Sequence, residues 1–300
     1  MASRNYKAAK KRAIPSILGV TLCYVLAIST TWATMFQAHF ANPLGAKGWR
    51  VSRNQLRCGL ALTIPNYGIG YFEQYAAKPP HFILRKWDEV NRSLPAKITI
   101  KTPIWKRGEP PVLIGESMIK PGEFGIYLRR DTALKLLTFL SKGYEPNFNY
   151  LSETGFNVTV ALSPVGFQKP YLRYQECLGD LLPFDYEEVK ETVFHYKEDG
   201  RELTDKDKAR LHQIMRYVEA DEQVQTIRVV GYADANGRKG YNNAISQDRA
   251  QAVEHYLLRL GIPKEKLFVT WVGELDPIAR NDTDAGRAAN RRVVITLIKK

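Results

Sequence analysis

The stretch "VVGYADANGRKGYNNAISQDRA", residues 229–250, decides how the second half of this chain is read. Its apolar start ends at Gly231 and reads as a strand. Asp234 sits just past the C-terminal end of that strand, ahead of a turn rich in glycine and asparagine. Ser246 then reads as the N-cap of a helix, with Ala250, Val253, Leu257 and Leu260 along one face. Gly261 ends that helix and Pro263 blocks its continuation. This placement puts Arg249 at the third helical position, where a cation opposes the helix dipole by roughly 0.3–1 kcal/mol. Such a cation calls for an anionic partner. One option is a structural ion pair with Asp234 or Asp248. The other is an external carboxylate gripped by the guanidinium fork, with free N–H groups of the helix start assisting. Asp234 would then take an ammonium. An acid and a base around one helix start suit the zwitterionic head of an amino acid.

Outward from this stretch, residues 186–300 alternate between strand and helix patterns. "ETVFHY", "TIRVVGY", "KLFVTWV" and "RRVVITLI" read as strands. Thr204 reads as a helix cap, with Asp205 and Asp207 in the first turn and Leu211, Ile214, Met215 and Val218 on one apolar face. The order β-α-β-α-β-β predicts a two-layer α/β domain. Residues 34–185 read differently, as a β-rich domain of the barrel or sandwich kind, making the whole chain α+β. The runs "HFILRKW", "KITIK", "FGIYLRR" and "FNVTVAL" are punctuated by Pro and Gly. One helix is expected over residues 131–142, stopped by Gly143, and a second, short one in "YQECLGDLLPF". No flexible linker separates the halves.

The chain has 300 residues, which suggests about two domains. The net charge of +13 is unevenly spread: residues 1–186 hold 24 basic and 12 acidic side chains, and residues 187–300 hold 20 and 19. No recognised nucleic-acid-binding module carries this excess, so nucleic acid is not an expected partner. Part of it lies in residues 1–33, where Arg4, Lys7, Lys10, Lys11 and Arg12 precede an apolar run and a "TWA" ending. This is the pattern of a secretory signal peptide cleaved after Ala33. The alternative is an uncleaved anchor, for which the run is short and carries Pro15. Without the leader, Cys58 and Cys177 remain. Export and a single pair argue for one disulfide, against the alternative of two buried thiols. A loop this long would contribute roughly 4–5 kcal/mol on the chain-entropy model.

Asp234, Gly237, Asn242, Ser246, Arg249 and Ala250 stand in register with the pattern of the OmpA-like peptidoglycan-binding domain, which the region resembles. "YLLRLGIPKEKL" and "GELDPIARNDTDAGRAANRRVVI" match later segments of that family, and the likeness covers residues 191–297. The resemblance implies that Asp234 and Arg249 bind the diaminopimelate of the cell-wall peptide, supported by Asn242, Asn290 and Arg291. The family often reads Gly-His-Thr-Asp before the loop, whereas this chain reads Gly231-Tyr232-Ala233-Asp234. The first half, in "CGLALTIPNYGIGYFEQYA" and "NVTVALSPVGFQKPYLRYQECLGDLLPFDYEEVKETVFHY", resembles the MotY family of flagellar motor proteins. That likeness implies a signal peptide, a β-rich N-terminal domain, a disulfide between cysteines at these places and an OmpA-like C-terminal domain. It also implies a periplasmic component of the flagellum basal body that forms a ring with copies of itself and helps hold the stator. The implied partners are peptidoglycan, the basal body and stator proteins.

Two rival classes are weighed against this. One is another OmpA-like envelope protein anchoring the outer envelope to peptidoglycan, or a MotB-type stator subunit. A stator subunit needs an acidic residue within a transmembrane helix, and residues 13–35 contain no Asp or Glu. The other rival is a wall-acting enzyme. His39, His81, His195, His212 and His255 show no zinc-site spacing, no G-x-S-x-G elbow occurs, and Glu187 and Glu188 read as solvated charge. The expectation is a non-enzymatic protein without cofactor or metal. N-terminal sequencing of the exported protein should begin at Thr34, and an intact Met1 would overturn the cleaved-leader reading.

Overall fold

Alternation along Arg57–Ile64 shows how the first half is built. Cys58, Leu60, Leu62 and Ile64 are buried on one face, while Arg57 and Thr63 on the other are exposed. The computed structural model describes residues 36–43, 45, 48–103, 105–106, 109–122 and 125–300, so the expected leader over residues 1–33 lies outside the described residues. The first half carries β1 (Gln37–Phe40), β2 (Arg50–Arg53), β3 (Arg57–Ile64), β4 (Gly68–Tyr75), β5 (His81–Lys86), β6 (Leu94–Lys101), β7 (Val112–Ile119) and β8 (Ile126–Leu128). It continues with α1 (Arg130–Ser141), β9 (Glu145–Leu151), β10 (Asn157–Ala161) and α2 (Gln168–Asp180). These strands form two five-stranded sheets, ordered β1-β10-β9-β6-β7 and β2-β3-β4-β5-β8. Of the barrel or sandwich expected here, the closed barrel is not formed; the two sheets are open.

The two sheets share one core, with Phe82 of β5 stacked on Phe148 of β9 at 5.6 Å between ring centroids. Such ring pairs add about 0.5–1.5 kcal/mol beyond the area they bury. Leu136, Leu137 and Leu140 of α1 complete one side of the core, and Gly143 at φ +80° ends the helix as expected. Helix α2 starts earlier than the "YQECLGDLLPF" stretch foretold and buries Tyr174 and Cys177. Cys58 and Cys177 are bonded across 119 residues with their Cα atoms 5.9 Å apart, tying α2 to β3.

The second half carries α3 (Tyr186–Val189), β11 (Glu191–His195), α4 (Asp205–Ala220), β12 (Val224–Gly231) and α5 (Lys239–Arg259). A 3₁₀ turn over Lys264–Lys266 leads into β13 (Leu267–Trp271), α6 (Asp284–Asn290) and β14 (Arg292–Lys299). The sheet order is β11-β14-β12-β13; β12 and β13 run parallel, and β14 is antiparallel to both its neighbours. All four expected strands are present, and Thr204 caps α4 in a reciprocal box with Asp207. Helices α3 and α6 were not foreseen, being too short to show a period. A second core forms between Leu211, Ile214 and Val218 of α4, Val253 and Leu257 of α5, and Ile227, Val229, Val293 and Ile295 of the sheet. Ala76, Leu182 and Phe184 also enter this core from before residue 186, and Leu182 donates its N–H to Gln55 at 2.9 Å. Among the described residues no helix is long and apolar enough to cross a membrane.

Cys58→Ser should lower stability under oxidising conditions by about 2–5 kcal/mol. Thermal melts with and without reductant check this: the mutant should match reduced wild type, and equal melting temperatures for the oxidised proteins would count against a stabilising role.

Candidate functional site

The site sits where the chain leaves β11 and β12. Both strands are antiparallel to β14, so their C-terminal ends lie at one edge of the sheet. Gly231 ends β12 beneath α5, and a Cβ there would lie 2.1 Å from the Ser246 carbonyl oxygen and 3.1 Å from the Ala250 Cβ. Only a glycine lets helix and strand approach this closely. The helix does not begin at Ser246. It begins at Lys239, after Gly237 turns the chain at φ +106°, so Ser246 and Arg249 lie well inside it. Buried Asn242 and Ile245 hold the earlier turns in place despite their modest helix propensity. The Ser246 hydroxyl is fully buried instead of capping; it donates to the Asn243 carbonyl at 2.8 Å and accepts from the Gly273 N–H at 3.1 Å.

Arg249 is 1% exposed. Its guanidinium donates to three backbone carbonyls, from Nε to Gly200 at 2.8 Å, Nη1 to Tyr232 at 3.2 Å and Nη2 to Lys197 at 3.3 Å. The Tyr196 ring lies 5.0 Å from its central carbon. Neither acid considered as its ion-pair partner holds it: Asp248 pairs with Arg201 at 2.9 Å, and Asp234 pairs with Arg291 at 2.7 Å. Burial presses the Arg249 guanidinium below its ordinary value, while Tyr196 and Asp234 pull it back up. Of the five N–H donors of an arginine, two on Arg249 have no protein acceptor among the described residues.

Asp234 is 6% exposed, accepts the Asn236 N–H at 3.1 Å and keeps carboxylate lone pairs beyond those two contacts. Arg291 donates to it from Nη1 at 2.7 Å and, from Nε, to the Tyr196 carbonyl at 3.1 Å. Asp234, Asn242, Arg249 and Arg291 line one cavity of about 200 Å³, with Ala233 in its wall. Asn242 donates to Glu274. Asn290, the fifth residue expected here, is not among the lining. It is fully buried and accepts from the N–H groups of Ile278 and Ala279 at 2.9 and 3.1 Å. It also donates to Asn281 at 2.9 Å, whose oxygen receives the Ala235 N–H at 3.1 Å. Asn290 thus fixes the loop that supports Asp234's neighbour. Tyr232, at the departure from the family pattern, lies against Arg292, whose central carbon sits 3.7 Å from the ring centroid.

Four polar cavity residues escaped the sequence reading: Glu198, Asp199, Asn236 and Tyr241. Asn236 donates to Glu198 at 3.0 Å, and the Tyr241 hydroxyl donates to Asp199. The available signal was the turn at Asp199-Gly200 just after β11, which joins the Asp234 loop once both strands end at one edge; Asp199 takes φ +51° there. Among the described residues, no three His, Cys, Asp or Glu side chains are grouped to hold a metal ion.

A profile of the MotY N-terminal domain matches residues 40–183, and that of the OmpA family matches residues 195–291. Fold and site together define a two-part protein, a sheet-rich region followed by an OmpA-family domain. The sodium-type flagellar protein MotY of Vibrio parahaemolyticus is 30% identical over 273 residues, 90% of this chain and 93% of that protein. The chain belongs to the MotY family of flagellar motor proteins. Outer membrane protein A of Bordetella avium is 37% identical over 102 residues, 34% of this chain and 48% of that protein. Among solved structures, the peptidoglycan-associated lipoprotein of Burkholderia pseudomallei is 28% identical and covers 36% of this chain and 90% of its own, with a TM-score of 0.33.

Gly231→Ala should destabilise the protein by about 1–3 kcal/mol, because the added methyl must push α5 off the sheet. A melting temperature equal to wild type would show that the close approach at Ser246 relaxes freely.

Proposed function

We propose that this protein is a non-enzymatic periplasmic component of the flagellar motor that associates with the basal body, binds peptidoglycan and stabilises the stator. Residues 34–185 serve basal-body association and residues 186–300 bind the wall. In the motor the protein forms a ring with copies of itself. The wall ligand is the zwitterionic end of diaminopimelate in the stem peptide. The observation that carries this reading is the small cavity where Asp234, Arg249 and Arg291 meet, with hydrogen-bonding capacity left on both the acid and the base.

The chemistry follows from charge balance. A zwitterion adds no net charge to the cavity, so it enters without leaving a buried ion uncompensated. Its ammonium takes the remaining lone pairs of Asp234, and its carboxylate takes the remaining N–H donors of Arg249 and Arg291. Asn242, held by Glu274, borders the cavity and adds a neutral polar wall. A stem peptide whose third residue lacks the second carboxylate would leave the arginine donors unmet, at a cost of roughly 1–3 kcal/mol.

Asp234→Asn keeps the side-chain shape and removes the charge, so it should cut co-sedimentation with purified sacculi at least tenfold while the melting curve survives. Arg249→Ala should do the same, with some loss of stability because three carbonyls lose their donor. Unchanged sedimentation of folded Asp234→Asn protein would reject the site. Release of soluble muropeptides from those sacculi would reject the non-enzymatic reading. Cells lacking the gene should be flagellated but poorly motile.

A further inference from the structure

The positive charge of the first half has no role in the wall site. Residues 34–186 carry 19 basic and 12 acidic side chains. Part of that excess gathers at one place in the fold. A cavity of about 630 Å³ lies between β2 and α2, walled by Trp49, Arg50, Val51 and Arg53 from the strand side and by Arg173 and Glu176 from the helix. None of the three guanidiniums has a hydrogen-bond acceptor or carboxylate partner among the described residues, whereas many other arginines of the chain are paired. Lys169 precedes Arg173 by one helical turn, and Leu172 beside it is 58% exposed. Three cations against one glutamate leave the groove strongly positive, which disfavours any occupant that is not itself acidic.

The strand wall adds a second, independent feature. Among the described residues β2 is the end strand of its sheet and bonds only to β3, so its other edge offers N–H and C=O groups without a partner there. A groove between an edge strand and a helix is the shape into which an extended peptide adds as a further strand. Main-chain bonds then supply affinity, and side chains of the walls choose the sequence. The geometry is fixed from behind. Arg53 stands opposite Cys58 on β3, and Cys177 lies one turn beyond Arg173 on α2, so the disulfide sets the spacing of the two walls.

We propose that this groove takes an extended acidic segment of a partner protein, which pairs with the β2 edge and sets its carboxylates on Arg53 and Arg173, which share the face of the Cys58–Cys177 bond. The site is separate from the wall cavity and holds whether or not that cavity binds diaminopimelate. An anionic lipid surface would meet the same charges but has no backbone to offer the open edge, and for that reason the peptide is the occupant the groove favours.

Fluorescence anisotropy on the full mature chain tests this with a fluorescein-labelled decapeptide alternating Val or Thr with Asp or Glu. The peptide should bind saturably and more weakly as salt rises. Arg53→Glu and Arg173→Glu should each weaken it about tenfold or more, while Asp234→Asn leaves it unchanged. Reduction of the disulfide, or Cys177→Ser, should weaken it too. The same decapeptide with alternate backbone amides N-methylated, or with Lys for its acids, should fail to bind. Equal binding of the N-methylated peptide would overturn strand pairing, and indifference to both arginine substitutions would overturn the groove. Absence of peptide binding also overturns the proposal. If, in addition, phosphatidylglycerol vesicles sediment the chain in an Arg53- and Arg173-dependent way, the groove is a lipid contact instead.

Discussion

Arg249 is the interaction on which the edge of the second sheet depends. Its buried guanidinium holds the carbonyls of Lys197 and Gly200, from the loop after β11, and that of Tyr232, from the loop after β12. A cation taken out of water at 1% exposure is costly unless its donors are met, and three carbonyl dipoles meet most of them. The same contacts bring the two loops together, and the cavity lies between them. Gly231 makes this possible by letting α5 sit close enough for an arginine well inside the helix to reach over the end of β12. Asp234 is held separately, by Arg291 at the end of α6, just before β14. Asp234 and Arg249 therefore do not pair with each other, and each keeps hydrogen-bonding groups without a protein partner among the described residues.

The first half rests on a different device. Two open sheets close on each other through aromatic contacts, and a disulfide spanning 119 residues fastens α2 to β3. Its core is continuous in sequence with the second through Leu182 and Phe184, and the ion pair between Lys78 and Asp185 spans the same junction at 2.5 Å. That carboxyl is held below its usual range mainly by the Lys78 hydrogen bond. A surface pair of this kind contributes little by itself; the buried side chains carry the junction.

Much of the second half was legible because its elements are long and periodic. The faces of α4 and α5 and the four strands follow from spacing alone, and Thr204 and Asp207 mark a helix start by their chemistry. The start of α5 was misread because Ser246 has the right residue type for a cap and the right distance from the next apolar face. Its hydroxyl is instead satisfied by Asn243 and Gly273, the latter brought in from the turn after β13. Helix α6 was too short to show a period, yet its last residue, Asn290, organises the loop behind the site.

By itself the sequence determined the α+β class, the division into a sheet-rich first half and an alternating second half, and the prominence of Asp234 and Arg249 around one helix. Local spacing and side-chain type suffice for that; Asn242, Asn290 and Arg291 entered only through the family resemblance. Only the tertiary structure decided what those residues touch. The carbonyls that hold Arg249 come from 17 to 52 residues away, and the arginine that holds Asp234 comes from 57 residues away. A helix-dipole argument sees only the turn in which Arg249 sits. Its actual partners are fixed by which strand ends meet at one edge of the sheet, and that is a property of the topology.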